Sequence, residues 1–146
     1  MNAPGPINPL DEAHRRATAD ANQWRGRLIN HYAKAEARVS DALHRIEPDR
    51  APPLLLSQKI SRLKKLSADP TLIEQLATLE GRLAERNLLV HGEGKIWVDP
   101  NGEWLLQLRQ RGRAGEQQHM LCRDTVKPCH DELHKLVQRL TEKLKA

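Results

Sequence analysis

The sequence predicts a mainly all-α fold, a bundle of three to four helices with a small antiparallel β insert before the last helix. Apolar residues recur every three or four positions along most of the chain, which is the period of an amphipathic helix. The pattern changes to alternation only between about residues 94 and 123, which indicates the insert. With no Phe and one Tyr in the chain, Leu, Val, Ile and Ala must build the interior, and this composition also favours helices.

The length of the chain fits a single domain. A chain of 146 residues can bury one hydrophobic core but is too short for a second folded unit. We assign the helical domain with its β insert to residues 9–146. Residues 1–8 are rich in Pro, Gly and Asn, so we expect a flexible N-terminus there.

The first predicted element is a long amphipathic helix from about Leu10 to Ile46. Its apolar stripe comprises Trp24, Leu28, Tyr32, Ala35, Val39, Leu43 and Ile46. Gly26 and Asn30 are its predicted weak points, because both residues have low helix propensity. The prolines of EPDRAPP, residues 47–53, end this helix. A short second helix follows and is marked by Leu56, Ile60, Leu63 and Leu66.

The third predicted helix begins at Asp69-Pro70. An aspartate can accept a hydrogen bond from an unpaired backbone amide of the first turn, and proline is well tolerated at the first helical position. The stripe of this helix continues through Leu72, Leu76, Leu79 and Leu83 to Val90. One position on that line is Arg86, a charged residue where another leucine is expected. Gly92 then predicts a left-handed stop.

The β insert is predicted from alternation and from turn residues. Residues 95–98 and 103–111 flank Asp99-Pro100-Asn101-Gly102, which has proline and glycine where a type I hairpin turn prefers them. Residues 118–123 can add a third strand after the loop at 112–115. The last helix is marked by Leu133, Leu136, Val137, Leu140 and Leu144.

Two tryptophans of the predicted hairpin, Trp97 and Trp104, are expected to lie near each other across the strands. We expect both to pack against the bundle, which is the more common fate of such aromatics. The alternative is a surface on which bases stack. Basic residues beside it would be Lys95, Arg109, Arg111 and Arg113.

The charge balance favours polyanionic partners. The chain has 24 Lys and Arg against 19 Asp and Glu, a net charge of +5 and a pI near 9.5, which biases it towards nucleic acid without demonstrating such binding. The first residues lack the pattern of a secretory leader, and no apolar window is long enough for a membrane span. We therefore expect a cytoplasmic protein that has no membrane partner.

The two cysteines are expected to be free thiols, as is usual in a reducing compartment. With their neighbours they form His119-x2-Cys122-x6-Cys129-His130-x3-His134, which has enough nitrogen and sulfur donors for zinc. The spacings match none of the usual paired-ligand patterns. We therefore predict no metal site, a buried Cys122 on a strand and surface histidines on the last helix.

The segment ERNLLVHGEGK, residues 85–95, carries the candidate site. At about 100° per residue, Asn87 and His91 share one helix face, whereas Arg86 lies about 140° from His91. A single straight helix would not easily place both side chains on one small ligand. Two copies of the helix meeting across a two-fold axis could do so. Leu88 and Leu89 leave the last turn apolar nearly all round, and either the hairpin or a partner chain must cover them. We predict a homodimer that buries this end.

Arg86-Asn87-x3-His91 within ERNLLVHG resembles the R-x4-6-H signature of the HEPN superfamily, in which a polar residue commonly follows the arginine. HEPN domains are helical bundles, many are homodimers, and many are metal-independent endoribonucleases of toxin–antitoxin and defence systems. The resemblance implies RNA as the substrate, a cognate antitoxin or other regulatory protein as a partner, and no cofactor. It does not extend to the hairpin. Some toxins of the superfamily continue H-x-Y, and here Glu93 stands in place of that tyrosine.

The resemblance implies that Arg86 and His91 are catalytic. A guanidinium holds phosphate with a rigid fork of donors, and an imidazole can transfer protons near neutral pH. Asn87 would orient the histidine or bind phosphate, and we expect substrate contacts from Lys95, Arg109 and Arg111.

Structural alternatives exist for the same residues. His91 can cap the helix end, and Arg86 can pair with a carboxylate such as Glu80 or Glu85 from a partner helix. A catalytically inactive HEPN-like module that binds RNA, nucleotide or a protein partner is the functional alternative.

Overall fold

A computed structural model describes residues 9–49, 54–113 and 115–145 of the chain. The elements in chain order are α1 (Pro9–Ile46), α2 (Leu56–Leu66), α3 (Pro70–Gly81), α4 (Leu83–His91), β1 (Glu93–Val98), β2 (Trp104–Gly112), β3 (Gly115–Cys122) and α5 (Arg123–Leu144). The predicted mainly helical architecture with a small antiparallel sheet before the last helix is confirmed. The flexible N-terminus predicted for residues 1–8 lies outside the described residues.

Helix α1 runs unbroken through Gly26 and Asn30. The helix is therefore not interrupted at the two positions where the sequence predicted weak points. Its buried face packs against α5 and α2. That face comprises Ala17, Ala21, Leu28, Tyr32, Ala35, Val39, Ala42 and Leu43. Burial of a continuous apolar stripe stabilises a helix more than one glycine destabilises it, because most helical stability in proteins comes from tertiary packing.

The predicted third helix is two helices, α3 and α4, and this corrects the sequence prediction. Asp69 caps α3 as expected, since its carboxylate accepts hydrogen bonds from the amides of Thr71 and Leu72. The break falls at Arg82, where φ is −100° and ψ is 1°, directly after Gly81. The Arg82 amide bonds to the Leu79 carbonyl 3.0 Å away, a tighter turn than an α-helix. The candidate segment therefore lies on a separate nine-residue helix.

Gly92 ends α4 by a different mechanism from the one predicted. Its φ of −70° and ψ of 144° are extended rather than left-handed. Glycine is needed here because a Cβ atom would lie 2.3 Å from the Leu88 carbonyl oxygen. Arg25 of α1 donates to the carbonyl oxygens of Leu89 at 2.9 Å and Gly92 at 2.8 Å. A side chain from another helix thus satisfies carbonyls at the end of α4.

The three strands form an antiparallel sheet in the order β1-β2-β3. The predicted hairpin is confirmed: the Gly102 amide bonds to the Asp99 carbonyl at 3.0 Å, and Gly102 has a φ of +78° that glycine readily adopts. The third strand is also confirmed and begins earlier than predicted, at Gly115. The inner face of the sheet is apolar and packs against α1 and α4. Its buried residues are Trp104, Leu106, Leu108 and Leu121.

The two hairpin tryptophans lie on opposite faces of the sheet. Trp97 is paired with Leu105, and Trp104 is paired with Val98, so the alternation of a strand sends the two rings in opposite directions. Trp104 is 3 % exposed and donates to Asp20 at 2.8 Å, whereas Trp97 is 51 % exposed. The prediction that both pack against the bundle is right for Trp104 and wrong for Trp97.

Leu88 and Leu89 are buried within a single chain. Helix α4 packs against α1, β2 and β3, so the sheet of the same chain covers the apolar turn. These leucines therefore do not require a partner chain to cover them. Helix α5 buries all five apolar residues that the sequence assigned to it. No helix in the described ranges has the length and apolarity of a membrane span.

Candidate functional site

A cleft of about 440 Å³ opens at the side of α4. Arg86, Asn87 and His91 all line it. The other walls come from Glu36 of α1, from residues 54–57 at the start of α2, and from Gln110 of β2. Elements distant in sequence thus meet around one turn of a short helix.

One chain supplies all three residues of the motif to this cleft. From the helical wheel we expected Arg86 and His91 to diverge too far to serve one ligand without a second copy. Both side chains nevertheless line the same cleft of one chain. A second copy is therefore not needed to bring the motif together.

Arg86 lies at the edge of the cleft with its side chain 22 % exposed. Its Nη2 lies 3.3 Å from Oε2 of Glu36, and its Nη1 donates to Oδ1 of Asn87 at 3.0 Å. A guanidinium carries five N–H donors, so these bonds fix its orientation and leave donors for an anion. An ion pair for Arg86 was an alternative in the sequence, but its carboxylate is Glu36 of α1 and not Glu80 or Glu85.

His91 is exposed and has no side-chain hydrogen bond within the described residues. The alternative that it caps α4 is not supported, because Arg25 bonds to the carbonyls of Leu89 and Gly92. Asn87 contacts Arg86 rather than orienting His91. The imidazole is thus available to exchange a proton with a bound molecule.

The three basic residues expected to contact substrate are not in the cleft. Lys95, Arg109 and Arg111 occupy one face of the sheet, and Gln110, which lines the cleft, faces the other way. Arg109 also pairs with Glu116 at 2.7 Å. The structure therefore separates the predicted site into a cleft and a sheet surface.

Two residues that line the cleft, Glu36 and Gln110, were not predicted from the sequence. Gln110 follows Leu106 and Leu108 on the inner side of β2, so strand alternation could have assigned its direction. Glu36 carries no such signal, because only the packing of α1 beside α4 brings it to Arg86.

A second polar cluster lies behind the cleft, around Glu85. Its carboxylate accepts a hydrogen bond from Tyr32 at 2.7 Å and lies 3.1 Å from Nε2 of His119 and 3.5 Å from Arg82. Burial favours the neutral acid, but the bonds from His119 and Tyr32 and the charge of Arg82 outweigh it and lower the pKa of Glu85 to about 2. Burial and the same carboxylate raise the pKa of Tyr32 above its usual value. Tyr32, Arg82 and His119 thus surround a single carboxylate that is held ionised.

The donors considered for zinc do not assemble. Cys122, at the end of β3, contacts Thr125, whereas Cys129 lies against Glu85 and Arg82. His130 and His134 pack around His31 of α1 instead. Within the residues that the structure describes, no three His, Cys, Asp or Glu side chains are arranged to hold a metal ion. Cys122 is only partly buried, so its predicted burial is not observed.

Comparisons with family models, curated proteins and solved structures gave no match to this chain.

Proposed function

We propose that this protein is a metal-independent endoribonuclease of HEPN type. The observation that supports the proposal is that Arg86, Asn87 and His91 line one cleft of a single chain. These residue types can bind a phosphate and transfer a proton without a metal ion. The resemblance of the ERNLLVHG segment supplies the reaction class.

In the proposed reaction His91 accepts the proton of an RNA 2′-hydroxyl as its oxygen attacks the adjacent phosphorus. The bond from phosphorus to the 5′ oxygen breaks, and that oxygen takes up a proton from His91 or from water. The products are a 2′,3′-cyclic phosphate, or its hydrolysed form, and a 5′-hydroxyl. Attack and departure add negative charge to the phosphate oxygens in the transition state.

Arg86 stabilises that charge in this proposal. Asn87 and Glu36 hold the guanidinium from two sides, so the remaining donors are presented in a fixed direction. A fixed fork of donors does not have to reorganise as the charge develops. Glu36 also opposes anion binding through its own charge, and we expect bound phosphate to compete with it for Arg86.

The proposal further includes a role as a toxin or defence ribonuclease and a regulatory partner such as an antitoxin, which the resemblance implies. It also includes a cytoplasmic location and a homodimer with its cleft at the interface. Leu88 and Leu89 give no support to the dimer, because they are buried within one chain. Leu55, at the cleft, and Val90 of α4 are exposed apolar side chains at this end of the molecule. They are the residues through which we expect a second copy to pack.

A second candidate function is RNA binding without cleavage. The ion pair between Arg86 and Glu36 favours it, because a paired guanidinium can serve structure alone. The two functions differ in whether the wild-type protein produces cyclic phosphate ends.

The test is cleavage of labelled single-stranded and structured RNA by the wild type, Arg86→Ala and Arg86→Lys, with and without EDTA. We expect wild-type cleavage to persist in EDTA and to leave 2′,3′-cyclic phosphate ends. Arg86→Ala should lose activity, and Arg86→Lys should restore little, because an ammonium keeps the charge but lacks the planar fork.

The matched control is Arg38→Ala, which removes an exposed arginine of α1 that does not line the cleft. It should cleave as the wild type does. Equal, chelator-sensitive cleavage by every variant would indicate a contaminating nuclease and reject the proposal. Wild-type protein that binds RNA through Arg86 without cleaving it would establish the second candidate.

A further inference from the structure

The side of the sheet that faces away from the helices, which we name the outer face, exposes two large apolar side chains at one end. Its outward positions are Glu93, Lys95 and Trp97 of β1, Leu105, Gln107, Arg109 and Arg111 of β2, and Glu116, Gln118, Met120 and Cys122 of β3. Trp97 and Met120 are 51 % and 52 % exposed. The described residues of this chain leave both side chains open to solvent.

The exposed indole ring of Trp97 can stack against a flat aromatic group. The ammonium of Lys95 lies 4.2 Å from the centre of its indole ring, so one face of the exposed ring already attracts a cation. Nucleobases stack on exposed aromatic rings of this kind, and each stacked base contributes appreciable affinity. An incoming base can displace Lys95 from the ring and leave the ammonium beside the neighbouring phosphate.

Basic residues continue along the outer face from Trp97. Arg109 and Arg111 occupy successive outward positions of β2, and Arg113 is exposed in the following turn. The acidic residues on this face are Glu93 and Glu116, and Glu116 is hydrogen-bonded to Arg109. Positive charge therefore predominates beside the aromatic ring, which suits a polyanion that carries bases.

We propose that the outer face binds single-stranded RNA, with one base stacked on Trp97 and the backbone following Arg109 and Arg111. The row from Leu105, opposite Trp97, to Arg111 is about 20 Å long at the rise of a β-strand. The inference rests on the proposed ribonuclease function, since it identifies how that substrate is held.

The position of β2 connects this surface to the cleft. Gln110 lines the cleft from the inner face, and its neighbours Arg109 and Arg111 project from the outer face. An RNA strand that leaves the outer face at Arg111 therefore reaches the end of the sheet beside the cleft of Arg86 and His91. Single-stranded RNA fits this path because bases must be unpaired to stack on a side chain.

The test is fluorescence anisotropy with a labelled 12-nucleotide single-stranded RNA, measured in the His91→Ala background so that binding does not depend on cleavage. We expect Trp97→Ala to weaken binding about tenfold and Trp97→Phe to retain most of the affinity, since a phenyl ring still stacks. Arg111→Gln should lower the dependence of affinity on salt by about one ion per complex. A duplex of the same sequence should bind more weakly than the single strand.

Two controls separate this surface from general effects. Ile46→Ala removes an equally exposed apolar side chain at the end of α1 and should bind RNA as the parent does. Trp104→Phe changes the buried tryptophan and should lower the melting temperature with the affinity of the folded protein unchanged.

Unchanged affinity in Trp97→Ala, or no binding of the RNA by the parent, would overturn the proposal. If Trp97→Ala instead abolished self-association in sedimentation, the outer face would be a protein contact, which also overturns it. If the wild type did not cleave RNA but binding still depended on Trp97, only the ribonuclease function would be rejected.

Discussion

Glu85 and Arg86 are neighbours on α4, yet their side chains belong to two different kinds of site. Glu85 points into the bundle, where Tyr32, His119 and Arg82 surround its carboxylate. Arg86 lies at the edge of the cleft with Glu36 and Asn87 as partners and with donors still available. Both residues are ionic, but only one can accept a ligand without breaking the fold.

The difference shows which charged groups of this protein serve structure. A buried charge is tolerated when opposite charges and hydrogen-bond donors surround it, and His119, Tyr32 and Arg82 lower the pKa of Glu85 despite its burial. A binding group must retain unused capacity and access to solvent. Arg86 and His91 meet this condition, and Glu85 does not.

The largest expected effect is that of His91→Ala on cleavage. Loss of a group that transfers a proton should reduce the rate about 100-fold or more. The melting temperature should hardly change, because His91 is exposed and has no side-chain hydrogen bond in the described chain. His14→Ala, an exposed histidine of α1, is the control for activity. A large fall in the melting temperature of His91→Ala would instead mean that His91 stabilises the fold.

Glu85→Gln should show the opposite pattern. Removing one charge of a buried network destabilises a fold by about 3 kcal/mol, whereas cleavage per folded molecule should not change. Glu80→Gln, which alters a surface pair with Lys64, should cost less than about 1 kcal/mol. Chemical denaturation at neutral pH measures the loss of unfolding free energy in both variants. Equal losses would contradict the structural role of Glu85.

The same network predicts a specific acid transition. The pKa of Glu85 is lowered to about 2 from its ordinary 4.5, so the ionised carboxylate stabilises the fold above about pH 4.5 and this stabilisation is lost as the pH falls towards 2. The unfolding free energy of Glu85→Gln should therefore fall less than that of the wild type between about pH 5 and about pH 2. Identical pH profiles would mean that the network does not hold the carboxylate ionised.

Gly92→Ala should affect both sites, because α4 carries them both. A Cβ atom 2.3 Å from the Leu88 carbonyl oxygen forces the end of the helix to move, and we expect a loss of roughly 1 to 3 kcal/mol together with slower cleavage. Gly26→Ala is the matched control, since a Cβ there meets nothing within 4 Å and alanine should stabilise the helix by about 0.5 to 1 kcal/mol. Unaltered stability in Gly92→Ala would show that the backbone at Leu88 and Gly92 can shift at little cost to admit the Cβ atom.

The smallest expected effect is that of Glu36→Gln. The amide oxygen can still accept a bond from Arg86, but the competing charge is gone, so RNA affinity should rise several-fold while stability changes by less than about 1 kcal/mol. Asp41→Asn, with the same charge change on an exposed part of α1, is the control. An Arg86 that serves structure alone would give lower stability and unchanged affinity.

Much of the candidate site could be predicted, but its arrangement could not. The charged position on an apolar stripe singled out Arg86, and the motif added Asn87 and His91. The sequence could not assign Glu36, which comes from a helix about fifty positions earlier. It also grouped Lys95, Arg109 and Arg111 with the motif, although strand direction places them on the other face of the sheet.

The sequence by itself determined the local elements, because their signals are local. The apolar period specified the helical stripes, Asp69 specified the start of α3, and Asp99 to Gly102 specified the hairpin turn. These features depend on hydrogen bonds and dihedral angles within a few residues.

Only the tertiary structure decided what the elements do together. It divided one predicted helix at Arg82, buried Leu88 and Leu89 within the same chain, and separated Trp97 from Trp104. It also replaced a left-handed stop at Gly92 by a side chain of α1. The burial of the two leucines and the bonds from Arg25 depend on contacts between residues far apart in sequence, and packing of that kind overrides local propensity where the two disagree.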